Sequence, residues 1–252
     1  MALDITSISS YSELIGDVEW GCNRDKEKLP QVNVCTLFGE KSQLPVFQTT
    51  CSGSLKDVST LKSTLQLASG LKLNNMSIVM DKGFCSKDNV DDMLDDEDGL
   101  RFLLATSLTL AFTKAQIKSE KKDIDSVDNT IVVGDDIIRG VTKSRSWYGT
   151  YTLHTHVFYN AELAYQTKNR LYGYVAKLKQ EAEKNPNNAK LHSEFEKFLI
   201  VRKSSANHMG HTVNIRYDVV EEQLQHTGWL VIISNHIINN ATKAINIQRF
   251  RF

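Results

Sequence analysis

A short apolar run that ends in an acidic residue is the sequence feature that most constrains how this chain folds. Residues 77–84 read Ser-Ile-Val-Met-Asp-Lys-Gly-Phe, so three apolar residues lead into Asp81 and Gly83 follows closely. A short apolar stretch bounded by glycine is typical of a buried strand in a parallel sheet. The carboxyl ends of such strands line the crevice where open α/β sheets bind ligands. Asp81 is therefore either a solvated residue at a strand end or a metal ligand.

The segments around this run predict an α/β domain. Three strand-like segments with alternating or β-branched residues come first, and helical and strand-like segments then alternate. Such an order is typical of a mixed sheet with helices packed on it. The predicted strands are 2–10, 31–38, 44–50, 77–80 and 101–106, and the predicted helices are 56–68 and 87–94.

The pattern changes from about residue 108. Strands are predicted at 130–133, 147–158, 212–219 and 229–234, and two charged helices at 161–183 and 189–200. We interpret residues 1–107 as the first part of a sheet domain and residues 108–227 as an insertion of strands and a charged helical hairpin. Residues 228–252 then return to the sheet domain.

Charge is unevenly distributed along the chain. The formal net charge of the 252 residues is +0, but residues 1–100 hold 9 Lys or Arg against 16 Asp or Glu. Residues 101–252 hold 21 against 14. An acidic first part and a basic second part fit a metal–carboxylate site followed by a region that contacts a polyanion. The same distribution fits ordinary solvated surface equally well.

The cysteines and histidines do not form a recognisable metal-binding motif. The four cysteines have no Cys-x-x-Cys spacing, and the chain has no apolar run of the roughly 18 residues that a membrane helix needs. Reduced thiols in a cytoplasmic protein without a membrane partner are the simplest interpretation. His154 and His156 share one face of a predicted strand but lack further ligands, so we interpret them as structural.

A second aspartate gives Asp81 a potential partner. Asp4 lies in the first predicted strand, which can neighbour the strand that ends at Asp81. Two carboxylates at one sheet edge can share hard divalent cations such as Mg²⁺, which favour oxygen ligands. Two such ions roughly 4 Å apart could activate water and stabilise the leaving oxygen in phosphodiester cleavage.

Several short motifs in a fixed order resemble one enzyme family across nearly the whole chain. The segments are Asp4-Ile5-Thr6-Ser7, Leu29-Pro30-Gln31-Val32, Gly53 with Asp57, Thr60 and Leu61, Asp81-Lys82-Gly83-Phe84 with Asn89, and Gly228-Trp229-Leu230-Val231 with Ser234-Asn235. In this order they resemble insertion-sequence DDE transposases, in the cut-and-paste group with a large insertion before the catalytic glutamate. The resemblance implies a ribonuclease-H-like fold, a Mg²⁺ or Mn²⁺ cofactor, transposon ends and target DNA as partners, and a homodimer when full length. Asp4 and Asp81 match the first two catalytic, metal-binding aspartates.

The third carboxylate that the resemblance implies is missing. It should be a glutamate on a helix after the strand at Trp229, and that helix should open with a Tyr-x-x-Arg pattern. Here the helix is predicted to begin at Ala244, Gln248 takes the place of the tyrosine, and no acidic residue follows Glu222. No segment corresponds to the amino-terminal region that binds transposon ends. We therefore expect a fragment, truncated at both ends, that does not cleave DNA alone.

The segment 143–148 and the overall function leave alternatives open. Lys143, Arg145, Trp147 and Tyr148 combine cations with aromatic rings, which can neutralise phosphates and stack on bases. The alternative is a strand whose aromatic side chains pack the inserted subdomain. For the whole chain, the alternatives to a transposase core are a metal-dependent nuclease and a non-catalytic remnant that interacts with full-length transposase.

Overall fold

A computed structural model describes residues 1–21, 29–40, 42, 44–68, 77–96, 99–188, 190–203 and 211–249. The described residues form strands and helices that alternate along much of the chain. The strands are β1 (Ala2–Ser9), β2 (Gln31–Phe38), β3 (Pro45–Ser52), β4 (Ser77–Met80), β5 (Arg101–Ala105), β6 (Thr130–Val133), β7 (Asp136–Trp147), β8 (Tyr151–Tyr159), β9 (Leu199–Lys203), β10 (His211–Ile215) and β11 (Trp229–Ser234). The helices are α1 (Asp57–Ala68), α2 (Lys87–Leu94), α3 (Ala111–Glu120), α4 (Ala161–Lys184), α5 (His192–Phe198), α6 (Tyr217–Leu224) and α7 (Ala241–Arg249).

A large mixed sheet forms the centre of the fold, as the α/β prediction requires. Its order is β3-β2-β1-β4-β5-β11-β8-β7-β6. The first three strands pair antiparallel, whereas β4 runs parallel to β1 and β5 runs parallel to β4. β11 then pairs antiparallel with β5. Strand β4, which leads into Asp81, therefore lies in the interior of the sheet with a parallel neighbour on each side.

Apolar side chains cover both faces of this sheet. On one face, Leu3, Ile78 and Phe102 share a buried cluster with Leu61 of α1 and Val90 of α2. The strand residues next to them point the opposite way, because side chains alternate along a strand. On that second face, the buried cluster contains Val79, Leu103 and Ile232 together with Ala244 and Ile245 of α7. Helix α7 thus covers the face opposite to α1 and α2.

The chain divides into two compact units at positions that differ from the predicted boundaries. Unit 1 comprises residues 1–158 and 230–252, and unit 2 comprises residues 159–229. The strands between residues 130 and 158 were predicted within the insertion of residues 108–227, but they extend the nine-stranded sheet of unit 1. They do so because β8 lies beside β11 in that sheet.

Unit 2 is a helical segment with a small two-stranded sheet. Strands β9 and β10 pair antiparallel, and α4, α5 and α6 pack with them. The long helix α4 buries one stripe near its carboxyl-terminal half, and α5 contributes two phenylalanines. The core of unit 2 contains Val175, Leu178, Ala182, Phe195, Phe198, Leu199, Val213 and Val220.

Several elements after residue 108 differ from the sequence-based prediction. The helix predicted at 189–200 ends at Phe198, and β9 begins at the next residue, Leu199. Residue 189 lies outside the described residues. The strand predicted at 212–219 ends at Ile215, because Tyr217 opens α6. Helix α3 and strand β7 were not predicted. Neither α3 nor α6 has a side-chain hydrogen bond at its amino-terminal cap, so both lack a common sequence signal for a helix start.

Within the described ranges, no helix is both long enough and apolar enough to cross a membrane. The thiols of Cys35, Cys51 and Cys85 are unbridged, and Cys22 lies outside the described residues.

Candidate functional site

The register between β1 and β4 brings the two predicted catalytic aspartates together. Ala2 pairs with Val79 in the parallel register, and the Val79 amide donates to the carbonyl of Met1 at 2.8 Å. Extending that register by two residues places Asp4 opposite Asp81. Neighbouring strands lie about 4.8 Å apart, so both residues occupy the same edge of the sheet.

Strand alternation also places the two carboxylates on the same face. Leu3 and Ile5 belong to the cluster under α1 and α2, so the Asp4 side chain between them points to the opposite face. Val79 lies in the cluster under α7. Asp81 retains an extended backbone with φ −87° and ψ 177°, so the alternation continues and its side chain also points to the α7 face.

The turn after β4 fixes the Asp81 side chain and brings a third acid beside it. Asp81 Oδ1 accepts from the Gly83 amide at 2.7 Å and caps the short 3₁₀ turn Lys82–Phe84. A Cβ atom on Gly83 would lie 2.7 Å from Asp57 Oδ2 and 2.9 Å from Asp81 Oδ1. Asp57 Oδ2 and Asp81 Oδ1 are therefore no farther apart than the sum of these two distances. Only glycine fits here without displacing one of these acids.

Asn89 holds this turn against both helices of the first face. Its Nδ2 donates to the Phe84 carbonyl and to the Val58 carbonyl, each at 2.9 Å. Its backbone amide donates at 3.1 Å to Oγ of Ser86, the amino-terminal cap of α2. The amide of Asn89 thus connects α2, the turn after Asp81 and the start of α1, where Asp57 lies.

Helix α7 reaches the same edge of the sheet from the second face. It begins at Ala241, three residues before the predicted start at Ala244. Near its end, Gln248 Nε2 donates to the carbonyl of Met80 at 3.2 Å. That carbonyl belongs to the peptide bond between Met80 and Asp81. Gln248 therefore contacts the peptide bond that leads into Asp81. The resemblance implies the third acid a few residues after this position.

The donor set suits one kind of cation. Within the described part of the chain, no group of three or more His, Cys, Asp or Glu side chains is arranged to hold a metal ion. The extended register of β1 and β4 places the carboxylates of Asp4 and Asp81 at one edge of the sheet. Mg²⁺ is commonly bound by one or two carboxylates and completes its octahedron with water and phosphate oxygens. The pair fits such an ion. It does not fit a cation that must be coordinated entirely by protein ligands.

Lys143 and Arg145 of the predicted DNA-contacting segment both pair with one buried acid. Lys143 Nζ lies 2.8 Å from Glu120 Oε2, and Arg145 Nη2 lies 2.7 Å from Glu120 Oε1. The Glu120 side chain is only 3% exposed. Burial by itself raises the pKa of Glu120, but the hydrogen bonds from Lys143 and Arg145 outweigh burial and lower it. The two cations therefore compensate a buried charge within the protein.

The aromatic residues of the same segment differ in exposure. Trp147 is fully buried, and its Nε1 donates to Asp91 Oδ1 at 2.8 Å. Its ring also packs edge-on against Phe112, with 4.7 Å between the ring centroids. Tyr148 is 45% exposed, and Lys87 Nζ lies 5.7 Å from its ring centroid. Of the two rings, Trp147 packs the core of unit 1, and Tyr148 is the one accessible for stacking.

His156 has hydroxyl partners on both ring nitrogens. Nδ1 lies 2.7 Å from Thr142 Oγ1, and Nε2 lies 3.2 Å from Ser234 Oγ. Burial, together with the charges of His154 and His236, lowers the pKa of His156 to about 4. The ring is therefore neutral at physiological pH and connects β7, β8 and β11.

Sequence reasoning named Asp4 and Asp81 and left two neighbours out of the site. Asp57 was one of the matching motif residues, but its contact with the Gly83 turn depends on how α1 packs. Gln248 was seen only as a replacement for tyrosine. Its contact joins residues 168 positions apart, which a local pattern does not reveal.

Comparison with protein-family models and with curated proteins finds no match for this chain.

Proposed function

We propose that this chain is the catalytic core of an insertion-sequence DDE transposase, with Asp4 and Asp81 as ligands of a divalent cation. The observation that carries the proposal is the parallel register of β1 and β4, which brings the two aspartates to one edge and one face. The strand order supports it as well. Three antiparallel strands are followed by two strands parallel to the first, with helices in the connections, as a ribonuclease-H-like core requires.

The chain's own residues would hold the cation and orient its ligands. Asp81 is oriented by the Gly83 amide, and Asn89 holds that turn in place. Mg²⁺ or Mn²⁺ would supply activation of water and stabilisation of the leaving oxygen at a DNA phosphodiester. The partners in this proposal are transposon ends and target DNA.

Strand cleavage by this chain alone is not part of the proposal. Helix α7 contains no acidic residue, so Asp4 and Asp81 are two of the three carboxylates that the resemblance implies. A cation held by two carboxylates instead of three is bound more weakly, and its charge stabilises the transition state. This observation favours a second candidate function, a non-catalytic partner of full-length transposase. Co-purification with the intact enzyme without DNA cleavage by the chain alone would support it.

Titration of the chain with Mn²⁺ by isothermal calorimetry tests the cation site. We expect Asp81→Asn to weaken Mn²⁺ binding by at least about 100-fold, the upper end of the loss known for residues outside the coordination sphere. Asp128→Asn is the matched control, because Asp128 is an exposed acid in a separate 3₁₀ turn at 127–129. Equal affinity of the wild-type chain and Asp81→Asn would overturn the assignment of the metal site.

A further inference from the structure

Gln248 has a buried oxygen that accepts no hydrogen bond from the described residues. The residue is 8% exposed, and its Nε2 donates to the Met80 carbonyl at 3.2 Å. A carbonyl oxygen only accepts hydrogen bonds, so the contacting atom must be the amide nitrogen, and this fixes the orientation of the amide. Its Oε1 is then buried and has no hydrogen-bond partner among the described residues.

A buried acceptor without a donor is destabilising, and most buried polar atoms in folded proteins have a partner. The surroundings of Gln248 offer a reason. The amide touches the peptide bond that leads into Asp81, and α7 packs on the face to which Asp4 and Asp81 point. Ionised carboxylates only accept hydrogen bonds, so Asp4 and Asp81 could not satisfy an amide oxygen that faces them. A cation or its bound water can.

The end of α7 is fastened to the sheet, so Gln248 does not depend on a fraying terminus for its position. Arg249 Nη1 donates to the Val133 carbonyl at 3.0 Å, and Arg249 Nη2 lies 2.6 Å from Asp136 Oδ2. These contacts hold the last turn of the helix against the β6–β7 hairpin. Gln248, one residue earlier, is thereby held at the edge of β4.

We infer that Gln248 Oε1 is the third protein oxygen of the cation site, beside Asp4 and Asp81. The inference rests on the proposed function, because it requires the two aspartates to hold a divalent cation. Amide oxygens are established ligands of hard divalent cations. The Gln248 amide adds an oxygen ligand without adding charge. The two negative charges of Asp4 and Asp81 then balance the charge of one divalent ion. We therefore expect one tightly bound Mn²⁺ per chain.

Calorimetric titration with Mn²⁺ alone tests this inference on the full chain without any assay of activity. We expect Gln248→Met, which keeps side-chain length and removes both polar atoms, to weaken Mn²⁺ binding about 10-fold. We expect Gln248→Glu to strengthen binding, because a carboxylate of equal length adds charge at the same place. The matched control is Gln166→Met on α4, which changes an exposed glutamine and leaves the Mn²⁺ affinity unaltered.

The outcomes separate this inference from the proposed function. If the wild-type chain binds no Mn²⁺, the metal site and the role of Gln248 both fail. If Asp81→Asn loses binding while Gln248→Met and Gln248→Glu match the wild type, the aspartate site stands and the role of Gln248 is overturned. Circular dichroism and thermal melting without metal establish that each variant is folded. Should Gln248→Met fail to fold, unchanged or weaker binding by Gln248→Glu overturns the inference.

Discussion

Two buried polar side chains over the same face of the sheet differ in whether their polar atoms have hydrogen-bond partners. His156 has a hydroxyl partner on each ring nitrogen, so its polar atoms are satisfied inside the protein. Gln248 has one partner for its amide nitrogen and none for its oxygen among the described residues. A complete buried network stabilises a fold, whereas a buried polar atom without a partner calls for an explanation, of which a bound ligand is one. The comparison therefore separates a structural position from a candidate binding position.

Removing the His156 ring should have the largest effect on stability. We expect His156→Ala to lower the free energy of unfolding by about 3 kcal/mol, because it opens a cavity and removes hydrogen bonds to the half-buried Thr142 and the buried Ser234 hydroxyls. Urea denaturation monitored by circular dichroism measures the change. A loss below about 1 kcal/mol would contradict a structural role for this histidine.

The neutral state of His156 predicts how stability depends on pH. Its folded pKa of about 4 lies below the ordinary value of 6.5, so the unfolded chain binds more protons between these values. Stability is therefore full above pH 6.5 and falls as the pH decreases towards 4, by at most about 3 kcal/mol. Urea denaturation at a series of pH values measures this loss.

His156→Gln removes the titrating ring and serves as the control for this pH series. His154 and His236 remain in the variant and interact with this ring in the wild type. The difference in stability between the wild-type chain and the variant should shrink as the pH falls. A difference that stays constant from pH 7 to pH 4 would contradict the neutral buried state.

The smallest effect on stability should come from the position whose oxygen lacks a partner. We expect Gln248→Met, measured by urea denaturation without metal, to change the free energy of unfolding by less than about 1 kcal/mol or to be stabilising. The lost hydrogen bond to Met80 is offset because a buried acceptor without a donor is also removed. A loss as large as that of His156→Ala would instead place Gln248 with the structural residues.

The first part of the fold could be predicted because its sequence patterns are local. The run at 31–38 largely alternates, residues 78–80 are all apolar, and the cap at Ser86 marks the start of α2. Strand β7 could not be predicted in this way. Its outward-facing positions hold the exposed Lys143 and the half-buried Arg145, and their partner Glu120 lies on another element. Tertiary ion pairing, which a strand pattern does not contain, stabilises that segment.

The candidate site likewise combines residues found from local patterns with residues brought in by distant contacts. The motif around Asp81 suggested an acid at a strand end, and only the register of β1 and β4 places Asp4 beside it. Asp57 and Gln248 come close through helix packing, so their roles depend on contacts between distant segments. A pattern that repeats every two or four residues carries information about faces of strands and helices, but not about which helix end meets which strand.

The chain leaves the large sheet after Tyr159, at the end of β8, and returns to it at Trp229, the start of β11. The Asn160 amide donates to the Gly228 carbonyl at 2.8 Å, and the rings of Tyr159 and Trp229 pack with 4.8 Å between their centroids. Gly228 has φ +79°, which suits glycine at so close an approach. The long excursion between β8 and β11 therefore leaves and returns at a single point, as a tight hairpin turn would. Because the entropy of closing a loop grows slowly with length, this excursion can lengthen, shorten or be exchanged while the strands keep their register.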